Sequence, residues 1–416
     1  MTAEPGRLQP PAGGSDARPA LPELTCRVAE SLDAVCAEDW NRIAATGQPF
    51  LRHEFLLALE RSGCVGSDAG WYPRHLLFHA GDVLVAAAPM YLKSHSYGEF
   101  VFDWSWADAY ARAGLDYYPK LVSTIPFTPV AGPRLLLDTG MPAEPLRRAV
   151  AAAALEVAER SRVSSVHWLF TEEADTRALE SSGFLIRTGC QFHWPNAGFR
   201  DFQDYLDSLR SKKRKQIRRE RREAARSGLD IELLSGRELS DSQCDAYHGL
   251  YASTYDRKWG YPSLTREFFY EVRRSMGDSF MLVLARNAGR YVAGAHLFRG
   301  QDRLFGRNWG CTEYHRSVHF EMCYYRPIEH CIEHGLDVFE AGAQGEHKLS
   351  RGFLPVLTRS AHGIFHPDFR RAVAKFLESE SLEIRQYAAS MAEHSPFHDT
   401  DVDRRGASKA SSDSSD

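Results

Sequence analysis

The segment richest in reactive side chains runs from Phe339 to Arg351. Glu340 precedes Ala341-Gly342 at what reads as a strand end, and Gln344, Gly345, Glu346, Lys348 and Arg351 follow in a short glycine-interrupted loop. Loops of this kind at strand ends commonly build sites. A lysine there can bind a phosphate or orient a carbonyl, and an arginine can do the same with two parallel hydrogen bonds. The plain alternative is a polar loop held by ion pairs, with Glu340 in a salt bridge or capping the next helix.

Two further clusters carry chemistry. Tyr255, Lys258, Trp259 and Tyr261-Pro262 put aromatic and basic groups between two helices. A tyrosine can act as a general acid or hydrogen-bond donor, whereas an amphipathic packing loop would use the same residue types. From Arg210 to Arg226 the chain holds ten Lys or Arg residues against Glu220 and Glu223. Such a helix can meet nucleic-acid phosphates, with Lys212, Lys213, Arg214 and Lys215 in front; more often a charge run is a solvated face. His315, His319 and Cys323 recur at helical spacing, but no further ligand stands at a fixed distance, so no metal site is assigned. His53-Glu54 lacks the second histidine of a zinc-protease motif, and no P-loop, nucleophile elbow or dinucleotide fingerprint occurs.

These residues need a scaffold. The chain has 416 residues, 43% hydrophobic and 25% charged, enough for two or three cores. A net charge of −4 gives no global attraction to nucleic acid or membrane. The longest apolar stretch, Val83 to Leu92, is too short to span a bilayer and contains Pro89. Residues 1–22 read as a disordered leader without a signal-peptide core, and residues 396–416 as a disordered tail. With no export signal, the expected location is the cytoplasm, where the eight scattered cysteines stay reduced.

The period of the apolar residues then sets the elements. His75–His79 and Val83–Ala87 flank Gly81-Asp82 as a hairpin. A helix over Ala143–Arg160, a strand over Val166–Phe170, a helix over Ala174–Ser181 and a strand from Phe184 follow. The second half repeats this order: a hairpin from Phe280–Ala285 and Tyr291–Ala295, a strand over Arg303–Trp309, a helix over Ser317–His334 ending at Gly335, a strand over Leu336–Glu340, a short helix and a last strand after Gly352-Phe353. The pattern predicts an internal duplication, with a first domain at 23–199 and a second at 200–395 entered through a basic linking helix at 201–227.

The element order resembles the GNAT acyltransferase fold, and its doubled form resembles the Fem-type aminoacyltransferases. The segments His95–Trp104, Gln191–Trp194 and Phe339–Lys348 are similar to those of a bacterial FemAB-like family associated with peptidoglycan biosynthesis or recognition. The resemblance runs from about residue 40 to residue 385. It implies an α/β fold of two tandem GNAT-like domains, each a mixed central sheet flanked by helices. It also implies transfer of an acyl or aminoacyl group to an amine, with a link to cell-wall precursors. Fold alone does not fix function, so a non-catalytic binder of cell-wall precursor or RNA is the alternative.

In that fold two neighbouring parallel strands splay apart and the donor enters the gap. The resemblance puts Arg307, Asn308 and Glu340 at its mouth, with Glu340 as proton acceptor. It matches Gly345, Glu346 and Lys348 to a glycine–acid–lysine segment of related acyltransferases, making Glu346 catalytic and Gln344, Lys348 and Arg351 donor-binding. It puts Tyr255, Lys258 and Trp259 in the acceptor pocket. One departure matters. Acyl-CoA users carry a glycine-rich loop before the central helix that holds the pyrophosphate, whereas Gly310–Arg316 here lacks it. No tightly bound cofactor is expected; acyl-CoA or aminoacyl-tRNA would be a co-substrate. The first domain is expected to be structural or to line the acceptor cleft.

Overall fold

Each apolar run around a short turn does close a hairpin. Ala288 and Gly289 both take positive φ, 47° and 81°, the turn that matches the strand twist. Gly81, at φ 59°, opens the equivalent turn in the first half. The structure, a computed structural model, describes residues 6–7, 21–45, 47–256, 261–343 and 345–398. Most of the expected leader and tail, together with Lys258, Trp259 and Gln344, lies outside the described residues, as does the side chain of Glu346.

The chain forms two compact units. Unit 1 comprises residues 1–189 and 358–384. Its smaller sheet orders β1 (Gly6–Arg7), β2 (Leu24–Ala29), β4 (His75–Ala80), β5 (Val83–Ala88) and β8 (Leu136–Leu137). Its other strands are β3 (Trp71–Pro73), β6 (Met90–Lys93), β7 (Lys120–Ser123) and β9 (Ser165–Leu169). β6 runs antiparallel to β7, and β7 parallel to β9. Helices α1 (Ala37–Ile43), α2 (His53–Arg61), α3 (Trp104–Arg112), α4 (Ala143–Arg160) and α5 (Glu173–Ser181) complete it. Alanines let α4 lie close: Val150, Ala151 and Ala154 share a buried cluster with Phe78, Leu121 and Trp168.

The chain passes into unit 2 within β10 (Leu185–Pro195), returns within β16 (Leu354–Ile364) and leaves unit 1 again within α12 (Pro367–Glu393). Unit 2 holds α6 (Phe202–Asp207), α7 (Ser211–Ala225), α8 (Asp241–Asp256) and α9 (Arg266–Met276). Its strands run in the order β11 (Asp230–Ser235), β12 (Phe280–Asn287), β13 (Arg290–Arg299), β14 (Arg303–Cys311), β15 (Val338–Glu340) and β10. Only β14 and β15 pair in parallel. The helix between them starts as α10 (Val318–Phe320), widens into a π turn at Glu321–Tyr325 and continues as α11 (Arg326–Glu333). Pro327 has no N–H for the helical ladder, which accounts for the wider turn just before it.

Both halves are mixed α/β and follow the predicted order. The boundary near residue 199 is drawn differently by the contacts, because the closing strands are exchanged. Ser360–Ile364 of the second half pairs antiparallel with β9 in unit 1, and His193–Pro195 of the first half pairs antiparallel with β15 in unit 2. The ordered chain also extends past residue 396: Phe397 is buried in the core of unit 2.

Candidate active site

In unit 2 the parallel pair is short. Arg303, Leu304 and Phe305 match Val338, Phe339 and Glu340, and there β15 ends while β14 runs on to Cys311. Among the described residues no strand pairs with that edge of β14 beyond Phe305. On the other edge Arg307 and Asn308 together oppose His296, a β-bulge that re-aims the strand. Tyr247 fixes the bulge: its hydroxyl donates to the Asn308 carbonyl at 2.9 Å and accepts from His296 Nδ1 at 2.6 Å. Thr254 bonds the Trp309 carbonyl at 3.1 Å. Helix α8 lies so close that a Cβ on Gly310 would fall 2.0 Å from the Leu250 carbonyl.

Glu340 ends β15 with its carboxylate buried. Arg303 Nη1 donates to Oε1 at 3.1 Å. Oε2 has no hydrogen-bond partner and faces His193 Nε2 at 3.6 Å. Burial lowers the pKa of His193, against the pull of Glu340. Thus the carboxylate is both an ion-pair member, as the plain reading has it, and a buried acceptor with one oxygen uncommitted.

Lys348, also buried, donates to the Gly342 carbonyl at 2.6 Å and so closes the loop. Gly342 and Gly345, at φ 81° and 115°, supply backbone that other residues rarely adopt. Burial, then the charge of Arg307, brings Lys348 down to about 8. Burial lowers Arg307 to about 10, opposed by Glu340, Tyr251 and Tyr255. Tyr255 accepts from the Tyr251 hydroxyl at 3.1 Å. Glu340, Arg307, Asn308, Tyr255 and Lys348 therefore share one neighbourhood.

Arg351 does not join them. It turns inward, with Nη2 on Glu220 Oε2 at 2.8 Å, Nε on the Tyr325 hydroxyl at 3.0 Å, and its plane over Phe320. A buried guanidinium this fully engaged anchors the loop to α7 rather than offering itself to a donor. On α7, Arg214 pairs with Asp207 and Arg221 with Glu321 and Glu329. Lys212, Lys213 and Lys215 make no such pair among the described residues. His315 lies before the helix and bonds Glu313, while His319 packs on Trp309 and Tyr324, so with Cys323 they form no ligand set. His193 and Arg303 are participants that residue spacing did not single out. His193 sits inside Gln191–Trp194, so that motif was the available signal.

Unit 1 has the same junction, filled differently. Beyond β7 the chain folds back, and Gly132 bridges Thr171 in parallel. Arg134, fully buried, donates to the carbonyls of Leu169 at 2.8 Å and Val130 at 2.5 Å. Asp175 accepts from the backbone N–H groups of Arg134 and Leu135. The His95–Trp104 segment serves another cluster: Lys120 Nζ donates to Ser96 at 2.7 Å, to Glu99 at 2.8 Å and to Asp103. Burial pushes Glu99 up to about 7; Asp103, despite burial, is held near 2 by Lys120.

A family model matches residues 31–399, and it is described as peptidoglycan biosynthesis/recognition. The chain belongs to this FemAB-like family. Among solved structures, the C-terminal domain of a putative lysylphosphatidylglycerol synthetase from Agrobacterium fabrum is similar at 11% identity and TM-score 0.51, covering 82% of this chain and 96% of that one. FemX is similar at 11% identity and TM-score 0.47, covering 74% and 91%. A tandem GNAT protein from the clavulanic acid biosynthesis pathway is similar at 12% identity and TM-score 0.44, covering 83% and 99%. At 11% identity the first of these likenesses is one of fold alone. No curated protein matches the sequence. No helix among the described residues is long and apolar enough to cross a membrane.

Proposed function

We propose that this FemAB-like protein transfers an acyl or aminoacyl group to the amine of a cell-wall precursor, at the point in unit 2 where β14 leaves β15. The carrying observation is the bulge in β14 at Arg307–Asn308, just past the end of its parallel pairing with β15, together with the Glu340 Oε2 that has no hydrogen-bond partner. Transfer needs a proton taken from the attacking nitrogen, donors for the oxygen that gains charge, and an acid for the leaving group. Glu340, positioned by Arg303 and His193, takes the first role. Backbone N–H groups of β14 past the bulge suit the second. Tyr255 and Lys348 are the candidates for the third. The family description supports a cell-wall acceptor.

For the donor, the start of α10 is informative. Glu223 accepts from the Ser317 hydroxyl at 2.7 Å and pairs with Arg316 at 3.3 Å, so a carboxylate of the chain itself sits where a pyrophosphate would need positive charge. This favours aminoacyl-tRNA over acyl-CoA, with Lys212, Lys213 and Lys215 toward its phosphates. No bound cofactor is needed.

The test supplies labelled acetyl-CoA or charged tRNA with an amine-bearing muropeptide. Glu340→Gln should lower transfer by roughly 100- to 10,000-fold while the fold persists; unchanged transfer removes Glu340 from the mechanism. Changing Lys212, Lys213 and Lys215 to Ala should flatten the salt dependence of tRNA binding by about 0.7–0.9 in log–log slope per cation lost. Saturable acetyl-CoA binding without tRNA binding would reverse the donor choice. A second reading, a binding protein without turnover, draws on the internal bonds of Glu340, Lys348 and Arg351. Tight precursor binding with no product from either donor would establish it.

A further inference from the structure

Helix α11 ends in His330-Cys331-Ile332-Glu333 with His334 as its C-cap, and none of these residues has a role in the site above. Positions i, i+3 and i+4 share one helix face. One ligand atom from each of His330, Glu333 and His334 lies within 4.8 Å of the others. His330 is 8% exposed, yet its Nε2 has no hydrogen-bond partner. A buried ring nitrogen left unpaired is costly and calls for a cause.

His334 supplies a second clue. Its Nδ1 lies 2.9 Å from the His330 carbonyl. A carbonyl only accepts, so Nδ1 carries the proton, and in the neutral ring the lone pair is on Nε2. Metal-ligating histidines are commonly oriented by such a second bond to a backbone carbonyl. The Glu333 carboxylate is exposed and makes no hydrogen bond or ion pair among the described residues. The C-terminal end of the helix dipole also favours a cation here.

We propose that His330, Glu333 and His334 bind a borderline-soft divalent ion, zinc in the first instance. Two imidazole nitrogens and one carboxylate oxygen form a zinc donor set, and three protein ligands leave a fourth position for water or an incoming group. Imidazole disfavours magnesium and calcium, which take oxygen ligands.

The experiment titrates the metal-free full chain with Zn2+ by calorimetry and with Co2+ by visible absorption. The expected result is one saturable equivalent that Mg2+ does not displace and that is lost in His334→Ala. His334 is exposed, so its variant should keep the fold. A Zn2+-dependent rise in Tm, present in the wild type and absent in His334→Ala, gives a second reading. A wild type without a saturable phase, or a phase and Tm shift unchanged in His334→Ala, overturns the site.

Discussion

Units 1 and 2 each let a parallel strand pair part, and they use the gap in opposite ways. In unit 1 the chain after β7 returns to bridge Thr171, and the Arg134 guanidinium takes the last carbonyl of β9. In unit 2 the strand after Phe305 keeps going and bulges at Arg307–Asn308, and among the described residues no strand pairs with its other edge. A sheet edge without a partner must be bonded by something, because buried backbone groups are rarely left orphaned. Unit 1 satisfies that demand internally. One topology thus takes two forms, and the difference lies in the path of the chain just beyond the parallel pair.

The comparison is most sharply broken at Arg134. Arg134→Met strips two buried carbonyls of their donors, at about 1–3 kcal/mol each, so unfolding by urea should show a loss on the order of 4 kcal/mol. Transfer per folded molecule should be unchanged. A stable variant would mean that the gap in unit 1 is not held by this side chain. In unit 2, Gly310→Ala sets a methyl against the Leu250 carbonyl and pushes α8 off β14. A loss of about 1–3 kcal/mol is expected, with weakened transfer, since Tyr247 and Tyr255 ride on that helix. A wild-type Tm and rate would show the close approach to be dispensable.

The smallest effect is one of pH. Glu99, raised from 4.5 to about 7, keeps a proton in the folded state that the unfolded chain releases. Two buried histidines of unit 1, His167, lowered to about 3, and His362, also lowered by burial, raise stability as pH rises toward 6.5, whereas the Glu99 contribution falls through that window. Lys93, lowered by burial to about 6, works the other way above pH 6. Glu99→Gln removes the falling contribution, so stability followed by thermal unfolding should climb more steeply between about pH 4.5 and 6 in the variant than in the wild type. An identical slope in the variant would mean that another group carries it.

Much of this was legible in the residue order. The hairpins around Gly81-Asp82 and Ala288-Gly289, helix α4 and strands β9 and β14 obey local apolar period and turn chemistry, which a sequence displays directly. The loop at 342–351 was equally legible, because glycines and charges at a strand end are local facts. Strands β7 and β11 and helix α12 escaped the same approach. β7 is buried throughout and shows no alternation, and β11 is half-exposed along most of its length.

Tertiary structure alone decided the rest. That β10 closes unit 2 and β16 closes unit 1 depends on pairings between residues far apart in the chain, which no window contains. The same holds for His193 against Glu340. Arg351 looked free to bind a donor, and its partner Glu220 lies on a helix whose charge run gave no sign of a buried acid. The sequence by itself determined which segments would be strands, helices and charged loops, because those depend on spacing. Which charges would face one another, and where each parallel strand pair would part, depended on the packed fold, because burial and long-range pairing decide how a polar group is satisfied.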